Sequence, residues 1–171
     1  MIVFDLSAPH DQGFVLTGDR RLDLDEQLQE LVSQSGSNEV TPEHYLLLIT
    51  RYPDPVIESL LLRLGVSLAD VGQRLAVREP LPPPRLSVTA PHGGRSKQVL
   101  SYAFNEAQFL RHRVVSDGHL LLGMLAHPSP AREALAAAGL ERQAFQKAFG
   151  EAVGVAGHED LSVSDHVVIG G

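Results

Sequence analysis

Two stretches of the chain carry one pattern: TPEHYLLLI at 41–49 and SDGHLLLGML at 116–125. In each, a hydroxyl residue opens the run, an acidic residue and a histidine follow, and leucines complete it. His44 recurs as His119 after 75 positions, and Gly65 recurs as Gly139 after 74. Between these markers, DPVIESLLLRLGV (54–66) matches SPAREALAAAGL (129–140) once one residue is dropped. Nearly equal offsets with similar text between them describe a duplicated unit, so the fold has to build one supersecondary assembly twice.

Each unit is a set of helices. Leu24, Leu28, Leu31 and Val32 fall on one stripe of 22–36, the 3–4 spacing of an amphipathic helix. Thr41 stands where an N-cap belongs and Pro42 at the first helical position, where its missing N–H had no partner anyway. The run from Tyr45 to Ile49 is apolar all round, which predicts a central, buried helix. Asp54-Pro55 is a second cap-and-proline start, with Ile57, Leu60, Leu61 and Leu64 facing inward and Gly65 as terminator. Ser67 with Asp70 predicts a capping box opening a short fourth helix. In the second unit, 95–113 sets Val99, Ala103, Ala107 and Leu110 opposite Ser101, Asn105, Gln108 and His112. Ser116 and Ser129-Pro130 then start two further helices, Gly139 ends the second of them, and 140–153 supplies the last. The fold class expected is all-α, a double four-helix bundle.

The expected organisation is an N-terminal extension (1–21), a helical domain (22–150) and a C-terminal tail (151–171). Within the domain, repeat one covers 22–77 and repeat two 95–150, joined by the proline-rich linker 78–94, whose prolines favour an extended path. IVFDL (2–6), FVLTG (14–18) and LSVSDHVVIGG (161–171) lean towards β structure, and either pair in a small sheet or leave the two ends loosely ordered.

Composition narrows the functions open to such a chain. It has 171 residues, enough for one domain burying roughly 70% of its unfolded surface. Cysteine is absent, which excludes disulfides, thiolate metal sites and cysteine nucleophiles. A formal charge of −7 without any Lys/Arg cluster removes the usual driver of nucleic-acid binding. No stretch reaches the ~18 consecutive apolar residues of a membrane span, and the first residues lack a signal peptide's basic start and apolar core. A cytoplasmic location is expected, with no nucleic acid or membrane partner and with monomer and dimer equally open.

RSKQVLSYAFNEAQFLRHRVVSDGHLLLGML (95–125) resembles the second repeat of the Clp N-terminal domain, the double four-helix module in front of the ATPase engines of Clp unfoldases. That family's helix K-x-V-(L/I)-x-x-A-x-x-E-A leads through L-x-H-x-x-(I/V)-G-T-E-H into a leucine-rich helix. Lys97, Val99, Leu100, Ala103, Glu106, Ala107, Leu110, His112, Val115 and His119 fall in register with it. The first unit is similar but more diverged, keeping Val40, Glu43, His44 and the leucines, so the likeness covers roughly 22–150.

The resemblance implies a non-catalytic protein-recognition module of a Clp-type chaperone or proteolysis pathway. Its partner would be an unfoldase, a peptidase, an adaptor or a substrate protein, and no cofactor is implied. The alternative is a small-molecule or peptide sensor reusing the fold. No P-loop follows residue 150, so a free-standing module is expected rather than a fragment of an unfoldase.

Three sets of residues are candidates for chemistry. His44 and His119 lack a second ligand at i+4 and read as structural histidines, hydrogen-bonded in the first turn of a helix, rather than as a metal pair or a general base. The eight histidines and the HED run at 158–160 lack metal-ligand spacing, and Ser116 and Asp117 beside His119 lack a nucleophile elbow. Glu43 is the functional candidate, with Thr41 beside it. The resemblance implies that Glu43 pairs with the guanidinium of phosphorylated arginine, while a carboxylate in a first turn also stabilises the helix dipole. In the second repeat Gly118 replaces that glutamate, and a glycine around Gly93 replaces the threonine expected before the repeat's first helix. Phospho-arginine binding is therefore open at the first site and not expected at the second.

Overall fold

The structure, a computed structural model, describes residues 21–76, 90–112 and 115–160, with side chains left out at 21–25, 76 and 154–160. Eight helices make up most of the described residues: α1 (Arg21–Gln34), α2 (Pro42–Arg51), α3 (Pro55–Arg63), α4 (Leu68–Ala76), α5 (Gly94–Phe109), α6 (Asp117–Ala126), α7 (Pro130–Ala137) and α8 (Arg142–Asp160). The duplicated markers fall at equivalent places in the two sets of four. Thr41 and Ser116 are the N-caps of α2 and α6. Asp54 and Ser129 are the N-caps of α3 and α7. Asp54 accepts from the N–H groups of Val56 and Ile57 at 2.8 and 3.3 Å, and Ser129 from that of Arg132 at 3.2 Å. Gly65 and Gly139 close α3 and α7 at φ of 77° and 94°, the left-handed region where a side chain is strained.

One core runs through both repeats. Leu28, Leu31 and Val32 of α1 are buried, as are Val99, Leu100, Ala103 and Ala107 of α5. The middle helices are the most enclosed elements. Every residue of α6 from Asp117 to Leu125 is buried. In α2, Tyr45, Leu46, Leu48 and Ile49 are fully buried, while Leu47 is only half-buried. Helix α6 packs on α5, α7 and α8, whereas α2 packs on α1 and α4 and also touches α5, α6 and α7 across the repeat boundary.

A short piece of extended backbone ties the repeats together where α2 and α5 begin. Val40 and His92 form a parallel bridge. The Val40 N–H donates to the Pro91 carbonyl at 2.8 Å, and the Gly93 N–H returns to the Val40 carbonyl at 3.0 Å. That carbonyl also accepts from the buried Ser96 hydroxyl at 2.6 Å. Gln29 of α1 brackets Ala90 with its side-chain amide, accepting from its N–H at 2.8 Å and donating to its carbonyl at 3.4 Å. The last residues of the linker are thus stitched to repeat one by bonds that satisfy otherwise orphaned backbone groups.

Helix α8 continues to Asp160, past the 153 expected for the last helix. The proposed β segments at 2–6, 14–18 and 161–171 lie outside the described residues, as does most of the linker. No helix among the described residues is long and apolar enough to cross a membrane.

Candidate functional site

The two histidines occupy the third residue of their helices, and each closes a capping box. In such a box the third side chain reaches back to the N-cap N–H, a role glutamate or glutamine ordinarily fills. Here His44 Nδ1 accepts from the Thr41 N–H at 2.9 Å, and His119 Nδ1 accepts from the Ser116 N–H at 2.9 Å. The cap hydroxyls contact the same nitrogens, Thr41 Oγ1 at 2.8 Å and Ser116 Oγ at 3.1 Å. A backbone N–H can only donate, so both Nδ1 atoms are acceptors and both rings are neutral with the proton on Nε2.

That tautomer decides the chemistry. His44 Nε2 lies 2.7 Å from Ser35 Oγ, which in turn donates to the Val32 carbonyl at 2.8 Å. With its proton on Nε2, His44 is the donor to Ser35, the reverse of what a general base does to a serine nucleophile. Burial lowers the His44 pKa from 6.5 to about 4, against the opposing influence of the neighbouring Glu43 carboxylate. Burial, reinforced by His112, lowers that of His119 to about 3. Neutral rings held by caps are fold-determining residues.

The two boxes differ in where Nε2–H is spent. His119 donates it to His112 Nδ1 at 2.8 Å, so His112 is an acceptor there and protonation at that nitrogen breaks the link. Phe149 of α8 lies edge-on to both rings, with centroids 5.6 Å from His112 and 5.0 Å from His119. The same ring explains Gly118. A Cβ at that position would lie 2.4 Å from Phe149, so the place that holds glutamate in repeat one is filled in repeat two by an aromatic ring.

Glu43 is half-buried between the repeats, and its Oε1 accepts from the Ala131 N–H in the first turn of α7 at 3.3 Å. It therefore stands over a helix start of the other repeat, where a carboxylate is favourable. Thr41 is engaged with His44 as its cap. Of the two candidate residues, the structure thus brings Glu43 to the seam of α2 with α7 and turns Thr41 to the cap of its own helix. His158, Glu159 and Asp160 end α8 with their side chains outside the described set. Among the described residues no group of three or more His, Asp or Glu side chains is arranged to hold a metal ion.

Two further features belong to α5. Glu106, buried in α5, is gripped from α8 by Arg142 and by Gln146, whose Nε2 donates at 2.6 Å. The outer side of α5 leaves Tyr102 and Phe109 exposed, at 43% and 74%. A glutamate on the inner stripe of an amphipathic helix was the available sign of the first; the second follows from the same periodicity read on the polar face.

Residues 94–166 match the Clp repeat (R) N-terminal domain family. Uncharacterized proteins of Mycobacterium tuberculosis and Mycobacterium bovis are 31% identical over 101 residues, 57% of this chain. The matched stretch spans only 38% of the length of those relatives. Among solved structures, the Hsp104 N-terminal domain from Candida albicans aligns with a TM-score of 0.57 at 20% identity, covering 87% of this chain and 93% of that one. A chain from work on the ATPase ClpV, the TssB-TssC sheath and the accessory HsiE protein of type VI secretion gives 0.59 at 20% identity, over 80% and 88% of the two chains. A protein from a malarial protein secretion system gives 0.62 at 18% identity, over 78% and 91%.

Proposed function

Starting from a chain whose residues 94–166 match the Clp repeat N-terminal domain family and whose described helices have the Clp N-terminal fold, we propose that it is a non-catalytic protein-recognition module. In this reading it works in a cytoplasmic Clp-type chaperone or proteolysis pathway, binding an unfoldase, a peptidase, an adaptor or a substrate protein. The observation that carries the proposal is the fate of the histidines. The most chemistry-like residues described in both repeats are locked as neutral caps, which supports surface complementarity as the means of action.

Glu43 and Thr41 are the proposed contact point for a phosphorylated arginine, at the seam of α2 with α7. The Glu43 carboxylate supplies the charge that a guanidinium pairs with bidentately. Because Oε1 already accepts from Ala131, an incoming guanidinium shares that carboxylate with α7. The equivalent position in repeat two is Gly118, which lies under Phe149 and offers no carboxylate.

Co-precipitation of the tagged full chain from native lysate, beside a Clp unfoldase N-terminal domain as positive control, tests the recognition role. Recovery of a Clp component or Clp substrate is the expected result; recovery by the control alone rejects the role. A large thermal shift with a small ligand and no protein partner points instead to the sensor alternative. For the site, titration with phospho-arginine should saturate on the wild type and fail with Glu43→Gln. Equal binding by both removes Glu43 from the site.

A further inference from the structure

Helix α5 buries one face thoroughly. Ser96, Val99, Leu100, Ala103, Glu106 and Ala107 all point into the protein. On the outer face, Arg95, Gln98, Tyr102, Asn105 and Phe109 are exposed and separated by alternating steps of three and four residues. That spacing is the seam by which one helix packs along another, with Arg95, Tyr102 and Phe109 each about 10.5 Å further along the axis. A phenylalanine left 74% in water stands two turns from a tyrosine left 43% exposed, so both aromatic rings lie along one line of the helix surface.

The charges that α5 itself exposes have one sign, with the exposed Glu39 carboxylate lying against Gly93 at its N-terminal end. Glu106 is the only acid in α5, and it is buried and held by Arg142 and Gln146. The solvent face therefore presents Arg95 and Lys97, with Arg111 just past the helix end, on a chain whose formal charge is −7. The counterpart helix α1 is the opposite: its exposed positions include Glu26 and Glu30, and none of its described residues is aromatic. Duplication copied the helix, and its second copy has become basic and aromatic where the first is acidic.

We propose that the outer stripe of α5 is a docking seam for an acidic amphipathic helix of a partner protein. Phe109 and Tyr102 are the apolar anchors, of the residue types that dominate binding energy at protein interfaces, and Arg95, Lys97 and Arg111 pair with flanking carboxylates. This rests on the protein-recognition reading above and adds the face and the chemistry of the partner.

The test uses the full chain and a fluorescein-labelled peptide designed to be helical, with leucine at i, i+3, i+4 and i+7 and glutamate at most other positions. The wild type is expected to bind it in a salt-sensitive way. Phe109→Ser and Arg95→Glu, both at exposed positions and therefore keeping the wild-type melting curve, are expected to weaken binding by about tenfold or more. A lysine version of the peptide is expected not to bind. Equal binding by the variants, or none by the wild type, overturns the proposal. So does a wild-type dimer that Phe109→Ser makes monomeric, which assigns the seam to a second copy, or binding only to anionic phosphatidylserine vesicles. If Phe109→Ser still recovers the wild type's Clp partner from lysate, the recognition role stands and the seam falls. If neither protein recovers one, that role falls, while the peptide titration still judges the seam.

Discussion

His44 and His119 perform the same task at the same place in their helices, yet their surroundings have nothing in common. His44 ends on Ser35, the residue just past α1, beside a half-buried carboxylate. His119 ends on a second histidine, enclosed by the Phe149 ring of α8. Position 43 is a glutamate that reaches across to α7, whereas the equivalent 118 is a glycine because the aromatic ring occupies that space. Position 48 is a fully buried leucine, whereas the equivalent 123 is a glycine whose added Cβ would lie 2.4 Å from the Val99 carbonyl of α5. Helices α5 and α6 thus approach backbone to backbone where α2 carries a leucine. Duplication preserved what the backbone needs locally and released what packing decides, so repeat two closed on itself while repeat one kept a charged group at the boundary.

Exchanging residues between equivalent positions breaks this comparison most directly. Gly123→Leu forces a side chain against backbone that cannot rotate away, and a loss of about 3 kcal/mol or more is expected, seen as aggregation or a lost cooperative melt. Leu48→Ala empties a fully enclosed position and should cost about 2–5 kcal/mol in urea unfolding. The helix approach in repeat two is not special if Gly123→Leu melts like the wild type.

Gly118→Glu restores the repeat-one residue under Phe149 and should destabilise by about 2 kcal/mol. Combined with Phe149→Ala, which opens that space, its cost should shrink, giving a coupling of about 1 kcal/mol or more in a double-mutant cycle. Additive losses would mean the ring does not exclude the glutamate.

Acid sharpens the comparison of the two boxes. Both histidines have folded values below 6.5, so the unfolded chain takes up protons that the folded chain refuses. Their stabilising effect is complete above 6.5 and is lost as pH falls toward about 4 for His44 and about 3 for His119. Each should lower stability by up to ~1.4 kcal/mol per pH unit in that window. Urea midpoints measured from neutral pH downward should decline below 6.5, and His44→Gln or His119→Gln should each flatten the slope. An unchanged slope in both variants would exclude the caps as its source.

The smallest effect is expected at Glu43. Its bond to Ala131 is 3.3 Å long and half-exposed, so Glu43→Ala should cost about 0.5–1 kcal/mol, and Glu43→Gln less because the amide oxygen still accepts. A loss of several kcal/mol would make Glu43 chiefly a structural clasp between the repeats.

Much of the fold was legible because its signals are local. Thr41-Pro42, Asp54-Pro55, Ser116 and Ser129-Pro130 mark helix starts through the orphan N–H groups that only a cap or a proline resolves. Gly65 and Gly139 mark helix ends through a backbone angle that other residues resist. The structural reading of the histidines was available too, because a third-position side chain can reach its own cap. The clamp on Glu106 was not, since Arg142 and Gln146 lie more than thirty positions away. Nor was the length of α8, since nothing in its sequence stops a helix at 153.

The sequence by itself determined that one helical unit occurs twice, where its helices begin and turn, and that each unit carries a histidine in a first turn. These follow from backbone groups that must find partners within a few residues. Tertiary structure alone decided what each histidine bonds with its second nitrogen, why one copy lost its glutamate, and which residues of α8 clamp Glu106. Those outcomes depend on which side chains, remote in sequence, compete for the same volume, and that competition is settled only when the helices pack.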